Sequence, residues 1–233
     1  MPDPSMLPAP VARYLKHVLR GGQPLIRRLR MKQTGRLRIS AQSSQWLRFR
    51  AEQVTDPVSV SFEWDARVSI MPLVHVHVRD AYANGRASSR VRLLSVIPMA
   101  GESGRPELNS GALHRYLAEA VWYPTALLPS TALQWSPIDD TRALATLSDA
   151  GTTVSLEFRF NDALEVTSVY TPGRWEKVAR GYRQTPWEGF FHDYRQKANM
   201  LVPSGGEVGW YKDGQWQQVW AGGIVGAEYE FVD

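Results

Sequence analysis

The feature that most constrains this chain is the alternation of apolar and polar residues along a series of short segments. In VSVSFEWDARV, one face collects every second residue: Val58, Val60, Phe62, Trp64, Ala66 and Val68. Successive side chains of a β-strand point to opposite faces, so this period of two indicates strands that are buried on one face only. The segments follow one another through short turns, which favours antiparallel neighbours, because parallel pairs need long crossover connections.

Turn residues indicate which strands pair. Two-residue turns are predicted at three places: Asn84-Gly85, Ala150-Gly151 and Asp213-Gly214. Asn-Gly and Asp-Gly are strong hairpin signals, since both residues accept the positive φ that such a turn requires. The turn at Asn84-Gly85 pairs Val78 with Val91, and a turn over 70–72 pairs Val68 with Val74. Both registers keep the apolar side chains on one face, as a stable register requires.

These patterns predict a mainly β fold with few helices. We expect one curved antiparallel sheet of about ten or eleven strands, curled into a half-barrel or barrel, in a single domain over 1–233. A sheet with one charged and one apolar face needs a cover on the apolar side. The expected order is an N-terminal helix at 8–22, a first meander at 33–98, a helix and apolar lid at 110–130 capping the concave face, and a second meander at 131–233.

The N-terminal helix has an apolar stripe with helical spacing. The stripe consists of Val11, Tyr14, Leu15, Val18 and Leu19. These residues fall at i, i+3, i+4, i+7 and i+8, on one side of a helix. Pro10 suits the first turn, and Gly21-Gly22 suits the end. The stripe either packs on the body of the domain or lies on a membrane surface.

The stretch HRYLAEAVWYPTALLPS, at 114–130, combines a helix with an apolar run that two prolines interrupt. Ser110 is a suitable cap for a helix from Gly111 to Trp122, and Pro124 forces the preceding residue out of helical geometry. The stretch has two interpretations. It either completes the core as a plug or forms a lid over a ligand cavity, and an apolar lid suits an apolar ligand.

Several blocks of the sequence carry a resemblance. They are RYLAEAVWYPTALLPS, MPLVHVHVRDAY, LEFRF, PWEGFFHDYR and EVGW. Together they resemble an uncharacterised family of bacterial proteins, defined as a domain of unknown function, over about Leu7 to Phe231. That resemblance implies no known activity. The layout is also similar, more weakly, to the bacterial lipoprotein-carrier fold, in which an antiparallel half-barrel closes on helices and holds acyl chains.

The candidate polar sites are few. His75 and His77 would lie on one face of a strand with Asp65 opposite, and His192 and Asp193 lie in a short polar stretch. A catalytic metal usually needs three protein ligands. Four arginines would surround the first group: Arg67, Arg79, Arg90 and Arg92. Positive charge opposes a cation, so neither a metal nor a cofactor is predicted. The chain has no cysteine, and no phosphate-binding or nucleophile motif is present.

Charge is distributed unevenly. Residues 1–50 contain eleven Lys or Arg and one acid, whereas residues 51–233 contain 16 bases and 22 acids. The basic N-terminal region either pairs with acids elsewhere in the fold or contacts an anionic membrane peripherally. Nucleic acid is disfavoured, because most of the tryptophans that would stack on bases lie downstream of the arginines. The N-terminal residues lack the apolar core of an export signal, so we expect a cytoplasmic protein.

The sequence therefore favours a binding protein over an enzyme. We expect an apolar or acyl-chain ligand, such as a lipid, in the concavity of the curved sheet. The predicted lining residues are Trp64, Val74, Val76 and Val91 on the sheet, and Trp122, Tyr123, Leu127 and Leu128 on the lid. One alternative is an enzyme that uses Asp65, His77, His192 or Asp193 in the same cavity. The other is a basic module for anionic membranes or nucleic acid. The sequence leaves the oligomeric state open.

Overall fold

The structure, a computed structural model, describes residues 7–39 and 43–232. Two α-helices and thirteen β-strands make up most of it. The helices are α1 (Ala9–Val18) and α2 (Pro106–Glu119), and the strands are β1 (Ile26–Leu37), β2 (Leu47–Asp56), β3 (Ser61–Met71), β4 (Val74–Ala83), β5 (Arg86–Leu93), β6 (Ile97–Ser103), β7 (Leu133–Pro137), β8 (Arg142–Asp149), β9 (Thr152–Phe160), β10 (Val166–Val178), β11 (Gly181–Lys197), β12 (Met200–Lys212) and β13 (Gln215–Phe231). Two 3₁₀ turns, Ala120–Trp122 and Pro124–Leu127, follow α2.

All thirteen strands belong to one antiparallel sheet. Its order is β6-β5-β4-β3-β2-β1-β13-β12-β11-β10-β9-β8-β7. Each of the two meanders, β1–β6 and β7–β13, pairs its consecutive strands, and β1 joins the two by pairing with β13. The sheet curls into a half-barrel, as the sequence predicted. Its edges, β6 and β7, do not pair with each other in the described part of the chain.

The predicted hairpins form because their turn residues accept a left-handed backbone. Asn84 and Gly85 have φ values of 51° and 73°, the conformation that an Asn-Gly turn favours. The resulting register pairs Val78 with Val91, as predicted. The turns at Ala150-Gly151 and Asp213-Gly214 also join paired strands, which confirms both predictions.

The strand count of ten or eleven was too low. β6 was missed because its residues are almost all exposed and do not alternate. The sequence WEKVARGYRQTPW, at 175–187, favours a single strand, yet this segment is a hairpin that joins β10 to β11. The polar stretch HDYR, at 192–195, is typical of a loop, but it lies within β11, where Asp193 has a φ of 56°. Backbone pairing overrides weak local propensity at these places.

The register between β3 and β4 differs from the prediction by two residues. Val68 pairs with Val76 rather than Val74, because an irregularity between Ser69 and Met71 extends β3 to Met71. The tight turn consequently falls at 72–73. The start of β3 was also wrong, since Val58 is exposed and precedes Ser61, the first residue of the strand.

Both helices differ in their bounds from the sequence prediction. α1 covers Ala9–Val18 instead of 8–22, because Leu19 turns extended and bridges to Met200. α2 begins at Pro106, not after a Ser110 cap, since proline suits the first turn of a helix. It ends at Glu119, and Ala120–Trp122 is a 3₁₀ turn. The described helices include none that is long and apolar enough to cross a membrane.

The concave face of the sheet carries the core, and α1 and α2 cover it. The apolar stripe of α1 is buried, with Val11, Tyr14 and Val18 at most 1% exposed. That burial removes the apolar surface that a helix lying on a membrane would use, so the membrane alternative for α1 is wrong. α2 packs against strands of both meanders, including β4, β5, β9 and β10. The helix therefore fixes the two halves of the sheet relative to each other.

Candidate functional site

A cavity of about 700 Å³ lies between the concave face and α2. This volume is within the range of about 300–1,000 Å³ that is typical of small-molecule sites. Most of the wall is apolar and comes from the strands on both sides of the β1–β13 pair. The apolar lining includes Leu47, Trp64, Val68, Val76, Val78, Val91, Trp122, Trp187, Phe191, Val208 and Trp220. Ile39 and Met99 also line the cavity and are 82% and 60% exposed, so they lie at its mouth.

The structure brings half of the predicted lining residues together. Trp64, Val76, Val91 and Trp122 line the cavity. Val74 does not, because it directly follows the β3–β4 turn and pairs with the exposed Met71 at the end of the sheet.

The remaining predicted residues, Tyr123, Leu127 and Leu128, pack into the core beside the cavity. Tyr123 and Leu127 are 0% exposed and Leu128 is partly buried, and none of the three lines the space. The predicted lid is therefore mostly a plug, and Trp122 is its contribution to the cavity wall.

Hydrogen bonds hold this plug against both halves of the sheet. The Tyr123 hydroxyl donates to the carbonyl of Tyr116 in α2, and the Thr125 hydroxyl accepts from the backbone N–H of Ile26 at 3.0 Å. The Tyr229 hydroxyl donates to the carbonyl of Trp122 at 2.9 Å. Buried polar groups need such partners, so the plug is fixed by satisfied bonds as well as by packing.

Arg115 on α2 forms a polar cluster at the wall of the cavity. Its Nε donates to Glu119 at 2.8 Å, one Nη lies 3.5 Å from Asp80, and the other donates to Gln53 at 3.0 Å. Its guanidinium also lies 5.0 Å from the ring centroid of Trp64. All three nitrogens are therefore used, and the cluster joins α2 to β2 and β4.

Arg174 on β10 lines the same cavity, and within the described residues it has no such ion pair. One Nη donates to the carbonyl of Gly111 at 2.9 Å. The guanidinium lies 4.7 Å from the ring centroid of Trp187 and 5.5 Å from that of Trp210. Burial, together with the nearby charge of Arg115, lowers the pKa of Arg174 to about 10. The group stays positively charged at neutral pH but is poorly compensated.

His114 lies beside this region on α2 and is 5% exposed. Its Nδ1 is 2.9 Å from the carbonyl of Ser110, so this nitrogen carries the proton when the ring is neutral. Burial and the charge of Arg174 lower the pKa of His114 to about 4, although the bond to Ser110 opposes the shift. The imidazole is therefore neutral over the physiological range.

A second depression, of about 1070 Å³, lies on the convex face and is open and more polar. Its lining includes four arginines: Arg36, Arg48, Arg50 and Arg67. Register places Arg36 opposite Arg48 and Arg50 opposite Arg67. Like charges directly opposite each other destabilise a sheet. Within the described ranges none of the four has a carboxylate within 4.0 Å, although Glu207 lines the same depression.

The candidate catalytic groups do not reach the apolar cavity. Asp65 and His77 are joined at 2.6 Å, and His192 and Asp193 at 2.8 Å. None of the four lines the concave cavity, and His192 lines the convex depression instead. Among residues 7–39 and 43–232 no group of three or more His, Asp or Glu side chains is arranged to hold a metal ion. The enzyme hypothesis therefore has no site in the cavity from these residues.

Sequence reasoning missed the polar part of the cavity. Arg115 and Glu119 are charged and four residues apart on α2, a spacing typical of an ion pair on an exposed helix face, but both line the cavity. Arg174 had no local signal, since its neighbourhood is interrupted by irregular pairing between Thr171 and Arg174. Arg174 could be recognised as a buried arginine with no acid opposite it only when the strand register is known, and the register comes from the fold.

Comparisons with known proteins give the following relationships. A family model described as a family of unknown function (DUF6920) matches residues 5–229, which confirms the resemblance noted from the sequence. No curated protein matches the chain. A LolA superfamily protein from Nitrosomonas europaea is similar in structure, with 10% identity over 94% of this chain and 93% of that chain and a TM-score of 0.48. A beta-barrel-like protein of a domain of unknown function (DUF1849) from Brucella abortus has 12% identity over 89% and 99%, with a TM-score of 0.28.

Proposed function

The chain belongs to the DUF6920 family of unknown function, and from its own geometry we propose that it binds an apolar or acyl-chain ligand in the concavity of its sheet. The observation that carries this proposal is the cavity of about 700 Å³ between the concave face and α2. Its wall combines valines with four tryptophans, which offer large apolar surfaces to a ligand.

The composition of the cavity wall supports a chain-like apolar ligand. Val76 and Val78 on β4 and Val91 on β5 form adjacent cross-strand neighbours, so they present a continuous apolar strip. Burying apolar surface contributes about 25 cal/mol per Å². A chain laid on this strip would gain that free energy along its length, whereas a small polar substrate would gain little.

The test is binding of the fluorescent lipid cis-parinaric acid and of its uncharged methyl ester to protein purified without detergent. Native mass spectrometry of the same preparation would also show any lipid that co-purifies. Substituting Val91→Trp would place an indole ring in the cavity and weaken the binding of both probes. Val225→Trp, at a residue that is 66% exposed on β13, is the matched control and would leave binding unchanged. Binding that survives Val91→Trp at full strength would refute the site.

A second function, contact with an anionic membrane, is favoured by the four arginines that line the convex depression. Each arginine near an anionic bilayer contributes about 1 kcal/mol. We expect sedimentation with vesicles that contain phosphatidylserine but not with pure phosphatidylcholine vesicles. The double variant Arg48→Gln, Arg50→Gln would weaken the binding to phosphatidylserine vesicles. Arg195→Gln with Lys197→Gln, an exposed pair on β11, is the control. Vesicle binding that does not weaken as the salt concentration rises would exclude this function.

A further inference from the structure

Several residues that line the apolar cavity carry buried donors with no partner among the described residues. Six buried side-chain polar atoms lack a hydrogen-bond partner among the residues that the structure describes. Four of them belong to residues that line the cavity: Arg38 Nε, Trp122 Nε1, Arg174 Nε and Trp187 Nε1. All four are N–H donors. Leaving a buried donor unsatisfied costs about 1–3 kcal/mol, so donors clustered in the wall of one cavity favour a ligand that supplies an acceptor.

The two carboxylates that line the cavity, Asp80 and Glu119, already contact donors of the protein. Glu119 accepts from Arg115 at one carboxylate oxygen and from Gln53 at the other, at 2.8 Å and 2.6 Å. Asp80 accepts from Ser89 at 2.6 Å, and its second oxygen lies 3.5 Å from Arg115. The carboxylates therefore have little free capacity to hold a donor group of a ligand. The side-chain groups around the cavity that can still form hydrogen bonds are therefore mainly N–H donors.

Arg174 is the charged member of this donor set. In the described part of the chain no carboxylate lies within 4.0 Å of it, and the carbonyl of Gly111 is its hydrogen-bond acceptor. The rings of Trp187 and Trp210 flank the guanidinium and restrict its orientation. A fixed guanidinium presents a planar fork of donors, whose geometry matches a carboxylate or a phosphate.

We propose that the ligand of this cavity is an amphiphile with an oxyanion headgroup, either a carboxylate or a phosphate. This inference rests on the proposed function. The headgroup accepts hydrogen bonds from Arg174 and from the indole N–H groups of Trp122 and Trp187. The apolar chain lies against the valines of β4 and β5. The neighbouring Glu119 does not prevent this, because both of its oxygens are already engaged by donors of the protein.

The experiment compares cis-parinaric acid with its methyl ester, which keeps the chain but removes the charge. The wild type is expected to bind the acid about 10- to 100-fold more tightly than the ester, the range for a hydrogen bond to a charged group. Arg174→Gln is expected to remove this preference and leave the affinity for the ester within about 2-fold. Arg28→Gln, an exposed arginine on β1, is the charge-matched control and keeps the preference.

A second variant guards against loss of folding in Arg174→Gln. Trp187→Phe retains an aromatic ring for packing and removes one indole donor. It is expected to lower the affinity for the acid about 10-fold, the value of one hydrogen bond, and to lower the affinity for the ester by less. Competition by dodecanoate and by dodecyl phosphate then distinguishes a carboxylate headgroup from a phosphate headgroup.

The outcomes separate the two proposals. If neither probe binds the wild type, the proposed function fails. If both probes bind the wild type with equal affinity, the cavity is a lipid site but the headgroup inference is overturned. An equal loss of both probes in Arg174→Gln and in Trp187→Phe would also overturn it, because these residues would then act through packing alone.

Discussion

Burial of His114 makes the stability of this protein depend on pH between about 4 and 6.5. Desolvation and the charge of Arg174 lower the pKa of the imidazole from 6.5 to about 4 in the folded protein. In the unfolded chain the group is solvated and titrates near 6.5. Between these two values the unfolded chain binds a proton that the folded protein excludes.

The sign and the magnitude follow from proton linkage. Stability rises with pH wherever the unfolded state binds more protons, so it falls as the pH is lowered from 6.5 to 4. The difference between the two pKa values corresponds to about 3 kcal/mol at 1.36 kcal/mol per pKa unit. Because His114 is 5% exposed, solvent screens little of this effect. Above pH 7 both states are neutral and the contribution is flat.

The assay is urea unfolding of the wild type and of His114→Gln at several pH values from 4 to 8. Carboxylates titrate in both proteins, so their contribution cancels in the difference. We expect the free energy of unfolding of the wild type, relative to the variant, to fall by about 3 kcal/mol between pH 7 and pH 4. Any loss of packing in the variant shifts the difference by a constant and leaves its slope on pH unaffected.

A difference between the two proteins that stays constant from pH 8 to pH 4 would refute the reasoning, because His114 would then titrate alike in both states. A further check uses Arg174→Gln. Removing that positive charge should raise the pKa of His114, which NMR titration of the ring measures directly. An unchanged pKa in Arg174→Gln would show that burial alone sets it.

Three further predictions concern the plug, the polar cluster and the sheet. Leu127→Ala removes a side chain that is 0% exposed and should lower the free energy of unfolding by about 2–5 kcal/mol, measured by urea denaturation. Glu119→Leu leaves Arg115 with the more distant Asp80 and should cost about 3 kcal/mol; equal stability would show that the cluster is dispensable. Gly35→Ala places a Cβ 2.2 Å from the carbonyl of Ala221 and should cost about 1–3 kcal/mol, seen as a lower Tm.

The fold could be predicted where local signals act on their own. Asn84-Gly85 specifies a hairpin through its backbone conformation alone, and the alternation around Trp64 identifies the buried face of β3. β6 could not be predicted in this way, because its exposed residues have no period and its pairing with β5 comes from neighbouring strands. The start of α2 at Pro106 was missed because Ser110 offered a competing cap signal within the helix itself.

The candidate site could be predicted in its apolar part. Trp64, Val76 and Val91 were identified from the shared face of their strands, because a period of two and a hairpin turn place them side by side. Tyr123 and Leu127 were assigned to the cavity on hydrophobicity, which does not distinguish a residue that lines a space from one that fills it. That distinction depends on the packing of neighbours from distant segments.

The sequence by itself determined the local properties of this protein: strands with one apolar face, hairpins at their turn residues, and a need for a cover on the concave side. The tertiary structure decided the pairing of β1 with β13, which joins residues from opposite ends of the chain, such as Ile26 and Phe231. It also decided that Arg174 and the Arg115 cluster would line one cavity. Turn residues and alternation patterns act over a few residues. Pairing β1 with β13 joins distant parts of the chain, and it depends on the apolar surface that the whole sheet buries.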